Sequence, residues 1–212
     1  MLIMKIFILF LLITKIFASN YPTFSKQDLK LIKYKSGYIA KNRVVDYSLT
    51  MRRLKKFPRR KQLVHVNRYL NQLLQKPDSL NQDISDYWET PKEFLCIGFG
   101  DCEDYAIIKY FTLIKLGFPK NRLFLTTVYV KSSGTYHMVV SYFEYFLKPP
   151  LILDNLSFRI LNTKERDDLV IGKFINHQGV FKLNQKNQLI WIANSYKKHQ
   201  DLLKRISKEK PL

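Results

Sequence analysis

The chain has 212 residues, of which 46% are hydrophobic and 14% aromatic, so it can bury one sizeable core, and extensive disorder away from the ends is excluded. Lysine and arginine exceed aspartate and glutamate by 19 charges. Such a balance predicts attraction to anionic surfaces, membrane or polymer, and carries no information on the fold.

Residues 1–18 have the pattern of a secretory signal peptide. Lys5 provides the positively charged start, residues 6–13 are apolar, and Ala18 ends a small-residue cleavage site. The apolar stretch is shorter than the roughly 20 residues that span a bilayer, and Lys15 argues against an uncleaved anchor. We therefore expect a periplasmic protein that is not an integral membrane protein after cleavage. An exported address also argues against nucleic acid as the partner.

Two helices are expected in an N-terminal helical part, residues 19–76. Ser25 and Asp28 resemble a helix start, and the chain from there to Lys56 should be helical. A second helix is expected between Pro58 and Pro77, with one apolar face on the core. The apolar residues at helical spacing are Leu63, Val66, Leu70, Leu73 and Leu74. The polar residues 77–87 mark the link into a larger core, residues 77–195.

This core is expected to have an α+β fold. A mostly apolar, largely buried helix should begin near Cys102 and end at Gly117 and Pro119. The expected strands cover residues 123–130, 137–143 and 151–156, with others on either side of residues 176–179. Together they predict an antiparallel sheet, with a hairpin loop at 131–136, packed on the Cys102 helix. The basic C-terminal tail, residues 196–212, either continues as helix or frays.

Three residues follow the chain order expected of a thiol enzyme with a papain-like or transglutaminase-like core: Cys102, His137 and Asp154. A helix N-terminus favours the thiolate, a neighbouring histidine can take the thiol proton, and an acid can orient the imidazole. Each residue by itself also has an ordinary explanation, since buried thiols and histidines often only pack and Asp154 could open a turn. Their order on a helix and two strands is what favours catalysis.

Three acidic residues surround the thiol: Asp101, Glu103 and Asp104. They can cap the helix and favour its positive end. Carboxylates beside a thiolate nevertheless oppose its ionisation, and a bound divalent cation would offset that repulsion. Because calcium prefers carboxylate and carbonyl oxygens, the cluster is a candidate partial calcium site, although its spacing matches no EF-hand loop.

Cys96 is the second of the two cysteines, and a pair of cysteines in an exported protein invites a disulfide interpretation. The two lie only six residues apart, so a bridge would close a loop too small to stabilise the fold much. A bridge in the resting enzyme would mask the candidate nucleophile.

Longer motifs surround these residues. They are Tyr-Trp-Glu-Thr-Pro-Lys-Glu-Phe-Leu from Tyr87, Gly-Phe-Gly-Asp-Cys-Glu-Asp-Tyr-Ala from Gly98, and residues 109–110, 116–119, 66–67, 128–131, 137–139 and 153–156. Together they resemble the bacterial transglutaminase-like cysteine proteinases over roughly residues 60 to 185. Trp88 occupies the upstream tryptophan of the motif and either packs in the core or lines the cleft. The second thiol and the strongly basic composition depart from the family pattern.

The resemblance implies a calcium-dependent periplasmic protease that cuts a large surface adhesin near its N-terminus, after paired alanines, and so controls biofilms by releasing it. The thiol, histidine and later aspartate named above would form the triad, and the three neighbouring acids would supply calcium ligands. An inner-membrane receptor for cyclic di-GMP would be the regulatory partner. Two other functions stay open on the residues: a papain-like peptidoglycan amidase or endopeptidase, and a non-catalytic basic module that binds membranes or polymers.

Overall fold

The computed structural model describes residues 21–75 and 87–209. The helices in these ranges are α1 (Lys26–Leu54), α2 (Arg59–Leu70), α3 (Pro91–Ile97), α4 (Cys102–Lys115) and α5 (Lys197–Lys208). The strands are β1 (Leu74–Gln75), β2 (Phe99–Gly100), β3 (Leu123–Val130), β4 (Thr135–Tyr142), β5 (Leu151–Asp154), β6 (Ser157–Asn162), β7 (Leu169–Asn176), β8 (Gly179–Leu183) and β9 (Leu189–Ala193). The expected signal peptide and most of the expected link at residues 77–87 lie outside the described residues.

Seven strands form an antiparallel sheet in the order β6-β5-β4-β3-β7-β8-β9. Helix α4 packs on β4 at the middle of this sheet and also contacts β3 and β5. Strands β1 and β2 form a separate parallel pair. The predicted α+β fold, with an antiparallel sheet on the Cys102 helix, is confirmed. The division into a helical part, a core and a tail stays a prediction.

Helix α1 begins where its capping residues predict. The backbone N–H of Asp28 donates to Ser25 Oγ at 3.0 Å, and the Ser25 N–H donates to the Asp28 carboxylate at 2.7 Å. Gly37, with φ of +82°, interrupts the helical backbone and bends the helix. The buried residues of its core-facing side are Asp28, Ile32, Ala40, Val44, Tyr47, Met51 and Leu54.

Helix α2 buries Leu63, Val66 and Leu70, as its apolar spacing predicts, but it ends sooner than expected. Its last residue is Leu70, and Leu74 is 74% exposed, so the expectation of a helical face reaching Leu74 was wrong. Two tertiary interactions end the helix early. The side chain of Asn71 bonds to the backbone of a distant strand, and residues 74–75 pair with β2.

Helix α4 is the central helix of the fold. Asp101 caps it by accepting the N–H groups of Glu103 and Asp104 at 3.0 and 3.3 Å. All residues from Asp104 to Ile114 are buried, including its polar members, so the predicted burial is confirmed. The helix ends before Gly117, whose φ of +91° suits glycine at such a terminus.

Strands β3, β4 and β5 confirm the three expected strands, with bounds that shift by one or two residues. Strands β7 and β8 flank residues 176–179 as expected, whereas β6 and β9 were not predicted. The C-terminal tail continues as helix α5, which buries His199 and Leu202. Within the two described ranges, no helix combines the length and apolar character that crossing a membrane requires.

Candidate active site

The N-terminal end of α4 meets β4 and β5 at the centre of the sheet. Cys102 is the first residue of α4, His137 lies near the start of β4, and Asp154 is the last residue of β5. The N–H of Met138, which follows His137 on β4, donates a hydrogen bond to the Cys102 sulfur. The sulfur therefore lies beside the strand segment that carries the imidazole.

His137 and Asp154 are joined directly. The distance between His137 Nε2 and Asp154 Oδ1 is 2.8 Å, and the two residues are 8% and 0% exposed. This bond leaves Nδ1 as the imidazole nitrogen that can receive a proton from a thiol. An acid bonded to one ring nitrogen holds the imidazole in one tautomer and orientation, as a thiol–imidazole pair requires.

Asp154 is held as a carboxylate by several donors. Its Oδ1 also accepts the Leu156 N–H at 2.9 Å, and its Oδ2 accepts Arg166 Nη2 at 2.9 Å. Arg166 is itself held by Asp168 through bonds of 2.7 and 2.8 Å. Burial opposes ionisation of Asp154, but the His137, Leu156 and Arg166 interactions outweigh it and lower its pKa to about 2.

The backbone at the end of β5 accepts hydrogen bonds from three amide side chains, which lie on α2, directly after α2 and on β1. Asn71 Nδ2 donates to the Asp154 carbonyl at 2.8 Å, and Gln75 Nε2 donates to the Asn155 carbonyl at 3.0 Å. Asn67 Nδ2 reaches the Ser157 carbonyl at 2.7 Å. These bonds fix the strand end from which the candidate acid projects.

Glu103 holds the thiol in this structure. The Cys102 thiol donates to Glu103 Oε2 across 2.8 Å. Burial, followed by the charge and the hydrogen bond of Glu103 and then the charge of Asp101, raises the pKa of the thiol well above its usual value. The arrangement therefore favours the neutral thiol, and activation requires that the thiol turn away from Glu103 and give its proton to another base.

The acids next to the thiol have two different roles: two of them are candidate metal ligands, and the third binds backbone N–H groups. In the described part of the chain, the ligand atoms that converge within 4.8 Å of one another belong to Asp101, Cys102 and Glu103. Two of these residues offer the carboxylate oxygens that calcium prefers, so the donor set fits that ion. Asp104 instead accepts the N–H groups of Glu89 and Asp101 at 2.7 and 3.3 Å. Its place among the calcium ligands stays a prediction.

The carboxyl group of Asp104 is also the most perturbed acid of the site. Burial, followed by the charges of Glu89 and Asp101, raises its pKa to about 9. Through its two backbone bonds, this carboxyl holds the loop before α4. Glu89 enlarges the predicted acidic cluster, and its position next to Trp88 in the motif was the only sequence signal for it.

Two further residues near Asp154 were not predicted. Arg166 lies in a polar turn after β6, and nothing in its sequence context indicates a bond to Asp154. Lys109 stands out in the sequence only as a polar residue on an apolar helix. The structure leaves it 1% exposed, and its Nζ has no hydrogen-bond partner among the described residues. Burial lowers the pKa of Lys109 to about 7, while the charge of Asp154 acts in the opposite direction.

The structure also shows the environment of Cys96 and Trp88, for which the sequence left two interpretations open. Cys96 and Cys102 are both free thiols, so the structure contains no disulfide between them. Trp88 is 4% exposed and stacks on Tyr196 with ring centroids 5.8 Å apart, which agrees with the core-packing alternative.

Comparisons with known proteins agree with this geometry. The family model described as bacterial transglutaminase-like cysteine proteinase matches residues 40–191. The calcium-bound structure of Legionella pneumophila LapG is 32% identical, covers 86% of this chain and 99% of its own, and superimposes with a TM-score of 0.72. The EGTA-treated form of that protein is 33% identical, covers 87% and 98% of the two chains, and has a TM-score of 0.75. None of the curated protein sequences matches the chain.

Proposed function

The chain belongs to the bacterial transglutaminase-like cysteine proteinases, and from this membership we propose that it is a calcium-dependent periplasmic protease of a large surface adhesin. The cut would lie near the adhesin N-terminus, after paired alanines, and would release the adhesin from the cell surface and so control biofilms. The observation that carries the proposal is the buried His137–Asp154 pair beside a thiol at the start of α4.

Peptide cleavage would begin with proton transfer from Cys102 to His137 Nδ1. Asp154 stabilises the resulting imidazolium through Nε2, because its own carboxylate stays ionised. The thiolate attacks the backbone carbonyl carbon, and His137 then protonates the leaving amine. In the second half of the reaction, His137 activates a water that hydrolyses the acyl-enzyme.

The start of α4 offers a donor for the oxyanion. The N–H groups of Glu103 and Asp104 are already bonded to the Asp101 side chain, so the N–H of Cys102 itself is the helix-start group that is left for the substrate oxygen. A backbone donor held on a buried helix needs no reorganisation during the reaction, which is the basis of oxyanion stabilisation.

Calcium dependence is the second half of the proposal. Asp101 and Glu103 would supply the carboxylate ligands, since their oxygens converge beside the thiol. A bound divalent cation there would neutralise the charges that raise the thiol pKa and would remove the acceptor that holds the thiol proton. One similar structure is described as calcium-bound and another as EGTA-treated.

The proteolytic role is tested with two substrates side by side: an adhesin fragment that carries the paired-alanine site, and purified cell-wall sacculi. We expect cleavage of the fragment by the wild-type protein and none by Cys102→Ala, while Cys96→Ala, the matched thiol control, stays active. Cleavage of sacculi alone would make the protein a peptidoglycan hydrolase instead. Full activity of Cys102→Ala would exclude the thiol mechanism altogether.

Calcium dependence is tested by chelation and graded return of calcium. Activity should disappear and come back, and calorimetry should detect calcium binding that Asp101→Asn and Glu103→Gln abolish. Asp201→Asn, an exposed acid on α5, is the matched control and should bind calcium normally. Activity that ignores the chelator would mean that the acids only cap the helix.

Regulation by an inner-membrane receptor for cyclic di-GMP completes the proposal and rests on the family resemblance. The measurement is binding of the purified protease to the periplasmic domain of such a receptor from the same cell. Binding should increase when the full-length receptor carries cyclic di-GMP. Equal binding with and without the nucleotide would contradict this form of regulation.

A further inference from the structure

The turn between α1 and α2 forms a dense basic surface that the proteolytic function does not use. We call it the basic corner, and its exposed cationic residues are Arg52, Arg53, Lys55, Lys56, Arg59, Arg60 and Lys61. Within residues 21–75 and 87–209, none of these side chains forms an ion pair with an acid. Seven exposed cations on the two adjoining helix ends produce a strong local positive potential.

Exposed apolar side chains lie among these cations. Phe57 is the residue at the tip of the turn and is 39% exposed, and Val64 on the first turns of α2 is 37% exposed. Phenylalanine surrounded by lysine and arginine is the composition of segments that insert at a membrane interface. The Phe57 ring packs partly against His65, with ring centroids 5.2 Å apart, and the rest of it stays exposed among the cations.

A second loop extends this surface. Residues 144–149 follow β4, and Leu147 is 88% exposed, with Tyr145 at 56% and Phe146 at 43%. Arg122 donates to the Glu144 carbonyl at 2.6 Å, and its guanidinium lies 5.6 Å from the centre of the Phe146 ring. The loop therefore repeats the combination of apolar tip and flanking cation that the basic corner shows.

Contacts connect the two segments at one end of the molecule. Arg59 of the basic corner donates to the Gly117 carbonyl at 3.1 Å and lies 4.8 Å from the centre of the Phe118 ring. That ring packs edge-on against Tyr142, with ring centroids 5.0 Å apart. Tyr142 is the last residue of β4, two positions before the second loop begins. Both segments thus surround the C-terminal end of α4.

The active site lies at the other end of the same helix. Helix α4 has 14 residues from Cys102 to Lys115, so at 1.5 Å per residue its two ends are about 20 Å apart. A surface bound at the Lys115 end would leave the Cys102 end open to a protein substrate.

We propose that this end of the molecule docks on an anionic phospholipid bilayer, with the basic corner on the headgroups and Phe57, Phe146 and Leu147 at the acyl boundary. The positive charge of the basic corner is complementary to the negative charge of the lipid headgroups. The apolar tips favour a membrane over a soluble polyanion, because only a bilayer offers them an apolar phase. The inference holds whether or not the substrate is an adhesin.

The test is co-sedimentation of the purified protein with lipid vesicles. We expect binding to vesicles of mixed phosphatidylcholine and phosphatidylglycerol, little binding to pure phosphatidylcholine, and weakening as salt is raised from about 0.1 M to about 1 M. The variant Lys55→Glu/Lys56→Glu/Arg60→Glu should bind at least tenfold more weakly. Equal cleavage of a soluble peptide by this variant and the wild type would show that its fold and active site are intact.

A matched control separates the basic corner from total charge. Lys173→Glu/Lys182→Glu/Lys186→Glu changes the net charge by the same amount at exposed positions of strands β7 and β8 and the turn after them. This control should bind vesicles nearly as well as the wild type. Equal loss in both variants would overturn the proposal in favour of unspecific charge attraction.

The apolar tips separate a membrane from a soluble polyanion such as heparin. Phe57→Ser/Leu147→Ser should bind anionic vesicles at least fivefold more weakly while its retention on heparin stays unchanged. Tyr34→Ser, at an 88% exposed aromatic on α1, is the control and should change neither. If the double variant binds vesicles like the wild type, the surface recognises polyanions and the membrane proposal fails.

Discussion

The carboxylate of Asp154 depends on Arg166 as well as on the histidine that it orients. The Arg166 guanidinium donates to Asp154 at 2.9 Å and is itself only 8% exposed. A buried carboxylate without such donors would become neutral, because burial opposes its charge. Arg166 therefore helps to keep ionised the carboxylate that stabilises the imidazolium in the proposed mechanism.

Arg166→Met should destabilise the protein by about 2 kcal/mol near neutral pH, because it removes a donor from a buried charge. Since the folded pKa of Asp154 is about 2, below its usual 3.8, this group contributes stability above about pH 4 and loses it as the pH falls toward 2. Without Arg166 the folded pKa rises, so acid unfolding should begin at a higher pH. Circular dichroism during acid titration measures this.

Arg159→Met is the matched control, since Arg159 is exposed on β6 of the same sheet. It should leave the acid unfolding midpoint unchanged. An Arg166→Met protein that unfolds at the wild-type pH would show that His137 and Leu156 hold the carboxylate ionised without the guanidinium.

Lys109 is a buried lysine whose Nζ has no hydrogen-bond partner among the described residues. Its folded pKa of about 7 lies below its usual 10.5, mainly because of burial. Between these values the unfolded chain binds more protons, so wild-type stability should rise with pH from about 7 to 10.5. Below pH 7 the full cost of burying the ammonium is present.

Lys109→Met should therefore raise stability by about 3 kcal/mol at pH 7 and below, with a gain that disappears as the pH approaches 10.5. Lys109→Arg, which stays charged, should show no such rise with pH. Thermal melting from pH 6 to about 10 measures both variants. A Lys109→Met protein that is less stable at every pH would mean that the ammonium has a favourable partner in solution.

At the scale of elements, Arg43 joins the end of helix α3 to α1. Arg43 of α1 donates to the carbonyls of Leu95 and Cys96, both at 2.9 Å, where α3 ends. Gly98 follows with φ of +88°, and a Cβ there would lie 2.1 Å from the Arg43 guanidinium carbon. The loop that leads to Cys102 therefore requires glycine at position 98, because the Arg43 guanidinium occupies the space of a side chain there.

Gly98→Ala should destabilise the protein by about 3 kcal/mol, because it combines a left-handed backbone with a steric clash. Gly117→Ala is the matched control: its φ is +91°, but nothing lies within 4 Å of an added Cβ, so it should cost only about 1 kcal/mol. Urea unfolding measures both.

A double-mutant cycle with Arg43→Met separates the clash from the backbone strain. Removal of the guanidinium should relieve part of the destabilisation caused by Gly98→Ala. The double variant should therefore lose less unfolding free energy than the two single variants together. Simple additivity would show that the clash is absorbed elsewhere and that backbone strain alone sets the cost.

The helix ends show where distant contacts outweigh the local sequence pattern. The capping residues of α1 and α4 act within three positions of one another, so the sequence predicts both helix starts. The end of α2 is decided by Asn71, whose side chain bonds to Asp154 and Ser157 more than 80 residues away. Helix α3 was missed although Thr90, Pro91 and Glu93 carry its start signal.

At the scale of the whole molecule, helix α5 closes the fold over its N-terminal segment. Arg205 donates to the Trp88 carbonyl and lies 3.4 Å from the Glu93 carboxylate. The Tyr21 hydroxyl donates to Glu209 at 2.8 Å across 188 positions of the chain. The basic tail of the sequence is thus a structural element that covers the tryptophan of the family motif.

Removal of residues 196–212 should expose Trp88 and lower the melting temperature by several degrees, because the stacking of Tyr196 and the packing of Leu202 are lost. Trp191 is the other tryptophan and is 53% exposed, so the measurement uses a Trp191→Phe background. Trp88 emission should shift to the red in the truncated protein compared with full-length Trp191→Phe. Unchanged emission would show that other elements cover the indole.

The sequence by itself determined the fold class, the start of the Cys102 helix, the strands that carry His137 and Asp154, and the acids beside the thiol. These features depend on periodicity, capping and short spacing, which act between near neighbours along the chain. Only the tertiary structure decided that Glu103 holds the thiol proton, that Arg166 and Asn71 fasten Asp154, and that Lys109 is buried without a partner. Such contacts join distant segments, and their geometry follows from how helices and sheet pack together, which no local pattern records.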